Sequence, residues 1–340
     1  MHDDDHAPLG NYLFVSKSST GSIYVSDLGN SRVVVFNAAG QIERLIGKKG
    51  NGPGEFQAPG VNAMLSGDSL LAVVDAGSRR VSIFRTADAT FLRAVTLPTG
   101  DVGINWSRKA DTATFALNGS TALFARWGWR GDTIQMYGST PKRLLSDPFT
   151  VLQHGRSEAI PTSNGVVALL PTDPGLNILD AAGHATGFVL LPARRRRGEP
   201  NDLFKRAAEL QAKGGPMGLA PIGSMVVGMH ALGSGQLATV TLDVDQLAAA
   251  SEGHPGAQLF GNFRLYVSLL SKDLSKSCVD ALVPIQTDVA PNPFFTGDTL
   301  WVLTRRVTPG DSVQTIVQGF LIGDHGCQWI ATGGIGPARP

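Results

Sequence analysis

With 340 residues the chain is long enough for two or three domains or for one large all-β domain, and at 42% apolar against 17% charged residues it is not a disordered segment. Lys and Arg total 29 against 28 Asp and Glu, a net charge of +1, which lacks the basic excess of a general nucleic-acid binder. No apolar run reaches the roughly 20 residues of a membrane-spanning helix, and 41 glycines with 20 prolines favour many short strands over long helices.

The chain starts with Met1-His2-Asp3-Asp4-Asp5-His6, which is acidic and lacks the basic-then-apolar layout of a signal peptide. Residues 1–9 are read as a tail. From there a pattern recurs: a turn ending in Gly, one or two small or polar residues, then an apolar strand. It runs as Gly21-Ser22-Ile23-Tyr24-Val25-Ser26-Asp27, then Gly67-Asp68-Ser69-Leu70-Leu71, Gly119-Ser120-Thr121-Ala122-Leu123, Gly165-Val166-Val167-Ala168-Leu169, Gly235-Gln236-Leu237-Ala238-Thr239 and Gly297-Asp298-Thr299-Leu300-Trp301. Successive glycines stand roughly 46 to 70 residues apart, the spacing of a repeat architecture. Each unit reads as four short strands; in the first, Asn11–Val15, Ile23–Ser26, Arg32–Phe36 and Ile42–Ile46, with Asn37-Ala38-Ala39-Gly40 as a hairpin turn. A lone four-stranded sheet cannot bury both faces, so such units stack radially about an axis. The spacing predicts one all-β domain over residues 10–340, a six-bladed β-propeller of four-stranded antiparallel blades at about 10–47, 58–98, 104–146, 154–192, 220–284 and 290–332.

The longer steps hold insertions. Residues 193–216 contain Arg194-Arg195-Arg196-Arg197 and a short helix over Asn201–Lys213, placed between blades four and five, with Leu203, Ala207 and Leu210 on one stripe. The arginines read first as a solvated turn and second as an anion-binding lid, because guanidinium forks suit phosphate and carboxylate. A second, Ala-rich helical turn is expected over Asp245–Ser251.

Tyr24-Val25-Ser26-Asp27-Leu28-Gly29-Asn30-Ser31-Arg32-Val33-Val34-Val35-Phe36-Asn37-Ala38-Ala39-Gly40 resembles an NHL repeat, and Gly47-Lys48-Lys49-Gly50-Asn51-Gly52-Pro53-Gly54-Glu55-Phe56-Gln57-Ala58-Pro59 resembles the linker between two such repeats. Asp75-Ala76-Gly77-Ser78-Arg79-Arg80-Val81-Ser82-Ile83-Phe84 is a second, weaker copy, and Gly334-Ile335-Gly336-Pro337-Ala338-Arg339-Pro340 echoes the linker. The match is specific over residues 21–98; beyond residue 100 only the strand rhythm continues. The resemblance implies a six-bladed NHL-like propeller. Such propellers include protein- and RNA-binding platforms and a zinc-dependent lyase of amidated-peptide precursors, and related folds include calcium-dependent lactonases and organophosphate hydrolases. Fold alone does not choose among these.

Sites in such a ring collect at the axial mouth, where inner strands begin. Aligning the repeats on their glycines brings Asn62, Glu158 and Asn292 to equivalent positions in blades two, four and six. One carboxylate and two amide oxygens converging on an axis suit a hard divalent cation such as Ca²⁺, which could polarise a carbonyl or phosphoryl oxygen and activate water. Asp111 could add a second carboxylate. The plainer reading is that Asn and Glu at strand starts satisfy turn backbone groups or face solvent. His154 and His230 precede or sit within the inner strands of blades four and five, so either could reach the mouth and handle protons; a general base suits His154, with Arg156 nearby to stabilise developing negative charge. The plainer reading of each histidine is an ordinary polar or partly buried side chain. His184 and His325 fall in hairpin turns, so a three-histidine zinc site is disfavoured. Trp106, Trp127 and Trp129 read as packing residues of blade three rather than a pocket wall.

The two cysteines, Cys278 and Cys327, both read as starting outer strands, in blades five and six; equivalent points on neighbouring blades stand near the roughly 7 Å limit for a bridge, which weighs against one. Two functional readings follow. The first is a cation-assisted hydrolase of a small ester, lactone or phosphotriester at the axial mouth. The second is a non-catalytic propeller binding a peptide, protein or carbohydrate. A single-chain ring without a fused partner domain tips the reading to the enzyme. The expected partners are a small-molecule substrate or a peptide or protein ligand, with no nucleic acid and no membrane span, on a monomer that leans towards export.

Overall fold

The computed structural model describes residues 8–10, 13–97, 101–109, 112–118, 122–128, 134–140, 157–162, 165–170, 173–191, 224–247, 261–285, 287, 291–307, 313–324 and 327–338. Antiparallel meanders succeed one another along the chain. Blade one is β1 (Leu13–Lys17), β2 (Ile23–Asp27), β3 (Arg32–Phe36) and β4 (Ile42–Ile46); blade two is β5 (Pro59–Leu65), β6 (Leu70–Asp75), β7 (Arg80–Arg85) and β8 (Phe91–Thr96). Blade three is β9 (Asp101–Lys109), β10 (Thr112–Asn118), β11 (Ala122–Gly128) and β12 (Ile134–Ser139), and blade four is β13 (Glu158–Thr162), β14 (Gly165–Leu169), β15 (Gly175–Leu179) and β16 (Ala185–Leu190). Blade five starts with β17 (Ser224–Ala231), β18 (Leu237–Leu247), β19 (Gly261–Leu270) and β20 (Lys276–Val283); blade six has β21 (Asn292–Thr296), β22 (Thr299–Val307) and β23 (Val313–Leu321). The result is a six-bladed all-β propeller.

The middle strands are apolar without alternation because both of their faces are buried. In β3, Val33 and Val35 pack towards blade two with Met64, Leu71 and Phe84, whereas Val34 and Phe36 face Leu303 of blade six. The outer strands β4 and β8 lie at the rim and alternate between half-buried and exposed residues. Six apolar clusters among the described residues fill the gaps between blades one and two, two and three, three and four, four and five, five and six, and six and one. Trp127 is fully buried in the cluster between blades two and three, a packing role; the side chains of Trp106 and Trp129 lie outside the described residues.

The Asp that closes β2 and β6 holds the segment leading into each inner strand. The buried Asp75 carboxylate accepts the backbone N–H groups of Gln57 (3.0 Å), Ala58 (2.8 Å) and Ser78 (3.3 Å). The buried Asp27 carboxylate accepts those of Gly10 (3.2 Å) and Asn30 (3.3 Å), and the Nδ2 of Asn30 (2.7 Å). A buried carboxylate is tolerated only when its oxygens are bonded in this way. In the linker between the two blades Gly47 has φ +76°, and a Cβ there would stand 2.3 Å from the Phe56 ring, so glycine is required on both counts.

Two expectations change. The last strand, β24 (Ile330–Ala331), was expected to complete blade six, but it pairs with β20 as a fifth strand of blade five, with Lys276 opposite Ala331 and Ser277 opposite Ile330. β20 offers an open edge there, and Thr332 fastens the strap by bonds to the carbonyls of Ser275 (3.0 Å) and Leu274 (2.7 Å). Cys327 is carried to the same rim and bonds to Cys278 with a Cα–Cα distance of 5.6 Å, so the distance argument against a bridge fails because the two cysteines serve one blade edge. The second change concerns residues 245–247, expected to be helical, which continue β18 to Leu247; residues 248–251 lie outside the described residues, as do the predicted helix over 201–213 and the four arginines.

Candidate functional site at the propeller axis

The inner strand of each blade has a single ladder partner. Its other edge faces the axis and exposes backbone N–H and C=O groups that need partners when buried. Side chains of neighbouring inner strands supply them. Asn62 on β5 is buried and spends its whole amide on blade one: Nδ2 donates to the Phe14 carbonyl (3.0 Å) and to Ser26 Oγ (2.8 Å), and Oδ1 accepts from Ser16 Oγ. Asn292 on β21 donates its Nδ2 to the Leu13 carbonyl, joining blade six to blade one. Glu158 on β13 accepts the backbone N–H of Met229 on β17, joining blade four to blade five. Amides meet free carbonyls and the acid meets a free N–H, so each residue type matches the backbone group across the gap.

These three residues nevertheless border one space. A cavity of about 240 Å³ on the axis is lined by β1, β5, β13, β17 and β21, and Ser16, Lys17, Asn62, Glu158, His230 and Asn292 are its polar side chains among the described residues. Phe14, Phe294 and Phe295 supply apolar wall. The His230 ring lies flat on Phe295, 4.7 Å between centroids and 5° from parallel. Glu158 bonds to the backbone of Met229, the residue preceding His230, and carboxyl and imidazole both line the cavity. Burial pushes the Glu158 carboxyl up to about 8, against the opposing pull of the Met229 N–H, so it is largely protonated at neutral pH.

His154, Arg156 and Asp111 lie outside the described residues, as does His325. His184 stays in its hairpin turn beside Asp180, at 3.2 Å. Among the described residues no three His, Cys, Asp or Glu side chains gather as a metal group. The donor set at the axis fits Ca²⁺ poorly: the ion takes roughly six to eight oxygens, both ends of the Asn62 amide are committed to blade one, and among the described residues the acidic and amide side chains then leave the Asn292 Oδ1 and the Glu158 carboxyl, the latter already bonded to the Met229 N–H. Sequence reasoning missed Lys17, the last residue of β1, whose ammonium rests 3.6 Å from the Trp301 ring centre. A charged residue ending an inner strand that starts Leu13-Phe14-Val15 was the available signal.

The molecule is thus a six-bladed propeller with an axial cavity of small-molecule size. Residues 7–105 match the model of a family, DUF5128, described as a 6-bladed beta-propeller. A search of curated proteins finds no match to the chain. Among solved structures, a DUF4221 family member from Bacteroides vulgatus is 12% identical with a TM-score of 0.58, covering 92% of this chain and 94% of that one. A candidate exported protein of Bacteroides fragilis is 13% identical with a TM-score of 0.54, covering 89% and 82%. Virginiamycin B lyase from Staphylococcus aureus is 13% identical with a TM-score of 0.51, covering 91% and 94%. At such identities the likeness speaks for the fold alone. Among the described residues no helix is long and apolar enough to cross a membrane.

Proposed function

We propose that the axial cavity binds a small organic molecule and hydrolyses an ester, lactone or phosphotriester bond by acid–base chemistry shared between Glu158 and His230. The observation that carries this reading is a carboxyl held neutral to about 8 facing the same 240 Å³ space as an imidazole. Written for an ester, His230 takes a proton from water as its oxygen bonds to the carbonyl carbon. When the C–O bond of the resulting adduct breaks, Glu158 gives its proton to the leaving alkoxide. Transfer from the imidazolium to the Glu158 carboxylate, through water, restores both groups. No cation is given a step, because the axial donors suit one poorly. The Cys278–Cys327 bridge supports an oxidising compartment, and hence export.

The test is turnover of a panel of nitrophenyl esters, small lactones and phosphotriesters. At least one substrate should be hydrolysed with a rate that falls as pH passes about 8, where Glu158 loses its proton. Glu158→Gln and His230→Ala should each lower kcat by about 100-fold or more, the usual scale of acid–base catalysis, and a chelator should change nothing. Turnover that survives Glu158→Gln, or no turnover across the panel, overturns the proposal.

A further inference from the structure

We infer that the ligand of the axial cavity carries an anionic group, a carboxylate or a phosphate, and that Lys17, its ammonium resting on Trp301, anchors it. The inference builds on the reading of the cavity as a small-molecule site. Three ionisable side chains line the cavity among the described residues: Lys17, Glu158 and His230. Lys17 is half-buried, and none of the ion pairs among the described residues involves it. The indole face holds the ammonium in place by a cation–π contact but does not neutralise it. Burial disfavours this charged form, and the Lys17 pKa is lowered accordingly. An anion entering the cavity removes that cost and gains a charge-assisted hydrogen bond.

The one acid among the described residues that line the cavity does not compete for Lys17. Glu158 is bonded to the Met229 N–H and largely neutral at pH 7, so the described lining presents the positive charge of Lys17 to an incoming ligand. The anchor stands close to the imidazole: Lys17 rests on Trp301, Trp301 pairs with Phe294, and the neighbouring Phe295 carries the His230 ring. A ligand held at Lys17 lies against the apolar wall of Phe14, Phe294 and Phe295, the last of which is stacked on His230. The cavity accommodates of the order of ten non-hydrogen atoms, given about 30 Å³ per water in the liquid. A small aryl or branched acid matches that size and lining.

The test is calorimetric titration of the full chain at pH 7 with phenylacetate, phenyl phosphate and neutral methyl phenylacetate. At least one acid should bind the wild type 10-fold or more tightly than the ester, and the ranking of the two acids tells carboxylate from phosphate. Lys17→Met should bring the acid-to-ester ratio close to one, and Lys17→Arg should retain the preference. If Lys17→Met does not fold, the wild-type acid-to-ester ratio must still fall steeply with added salt. The inference is overturned if the ester binds as well as both acids, if Lys17→Met keeps the preference, or if neither acid binds at millimolar concentration. Acid preference without turnover of any ester removes the hydrolytic reading alone, whereas turnover without charge preference removes the anchor alone.

Discussion

Replacing Glu158 by glutamine should abolish a pH dependence of stability that the buried carboxyl imposes on the whole ring. In the unfolded chain a glutamate releases its proton near 4.5, and in the folded protein Glu158 holds it to about 8. Below pH 4.5 both states are protonated and the residue contributes no pH dependence. Between 4.5 and 8 the native state binds a proton that the unfolded state has lost, so stability falls as pH rises; above 8 the loss is complete. Each unit between the two pKa values is worth about 1.4 kcal/mol, which sets a ceiling of roughly 4–5 kcal/mol. Glu158 also opens onto the cavity, where water screens the carboxylate, so about 2–3 kcal/mol is the expected loss. Glutamine keeps a carbonyl oxygen for the Met229 N–H and has no proton to lose. Urea unfolding of both proteins at half-unit steps from pH 4.5 to 9 measures the difference directly. Wild type and Glu158→Gln should be closest at the acid end, with the variant progressively more stable towards pH 9. A constant difference would refute the reasoning, and a variant growing less stable with pH would mean that the carboxylate, not the acid, is the form the fold prefers.

Closure of the ring between blades six and one gives a second prediction. Leu303 is 3% exposed and packs against Leu9, Leu13 and Val15 across that gap, so Leu303→Ala should cost about 2–5 kcal/mol in urea unfolding, whereas Leu321→Ala, 82% exposed on the same blade, should stay within about 0.5 kcal/mol of wild type. Reducing Cys278–Cys327 opens a loop closed across 49 residues and should lower stability by up to roughly 4 kcal/mol. It should also expose the strap around 327–338 to proteolysis, and a Cys278→Ser/Cys327→Ser double variant should be insensitive to reductant.

The strand rhythm was legible in the sequence because it is a local property. Arg32-Val33-Val34-Val35-Phe36 is apolar at every position that two neighbouring blades cover, and an Asp closes the second strand of both of the first two repeats, β2 and β6. Those patterns need only the period of a strand and the knowledge that both faces are covered. The alignment on turn glycines likewise brought Asn62, Glu158 and Asn292 to one axis, because an equivalent position in each repeat occupies an equivalent place around a ring. What these residues do there was decided elsewhere in the chain. Asn62 bonds to the carbonyl of Phe14 and Asn292 to that of Leu13, 279 residues away, and whether an amide meets a cation or a carbonyl depends on what the adjacent blade presents. The destination of β24 is non-local in the same sense: two residues carry too little pattern to name a partner, and the open edge of β20 with its cysteine settles it. The pairing of Lys17 with Trp301, and the burial that keeps Glu158 protonated, exist only once the ring has closed around them. Local periodicity therefore wrote the blades, while the gaps between them, spanned by contacts between distant residues, set the chemistry of the axis.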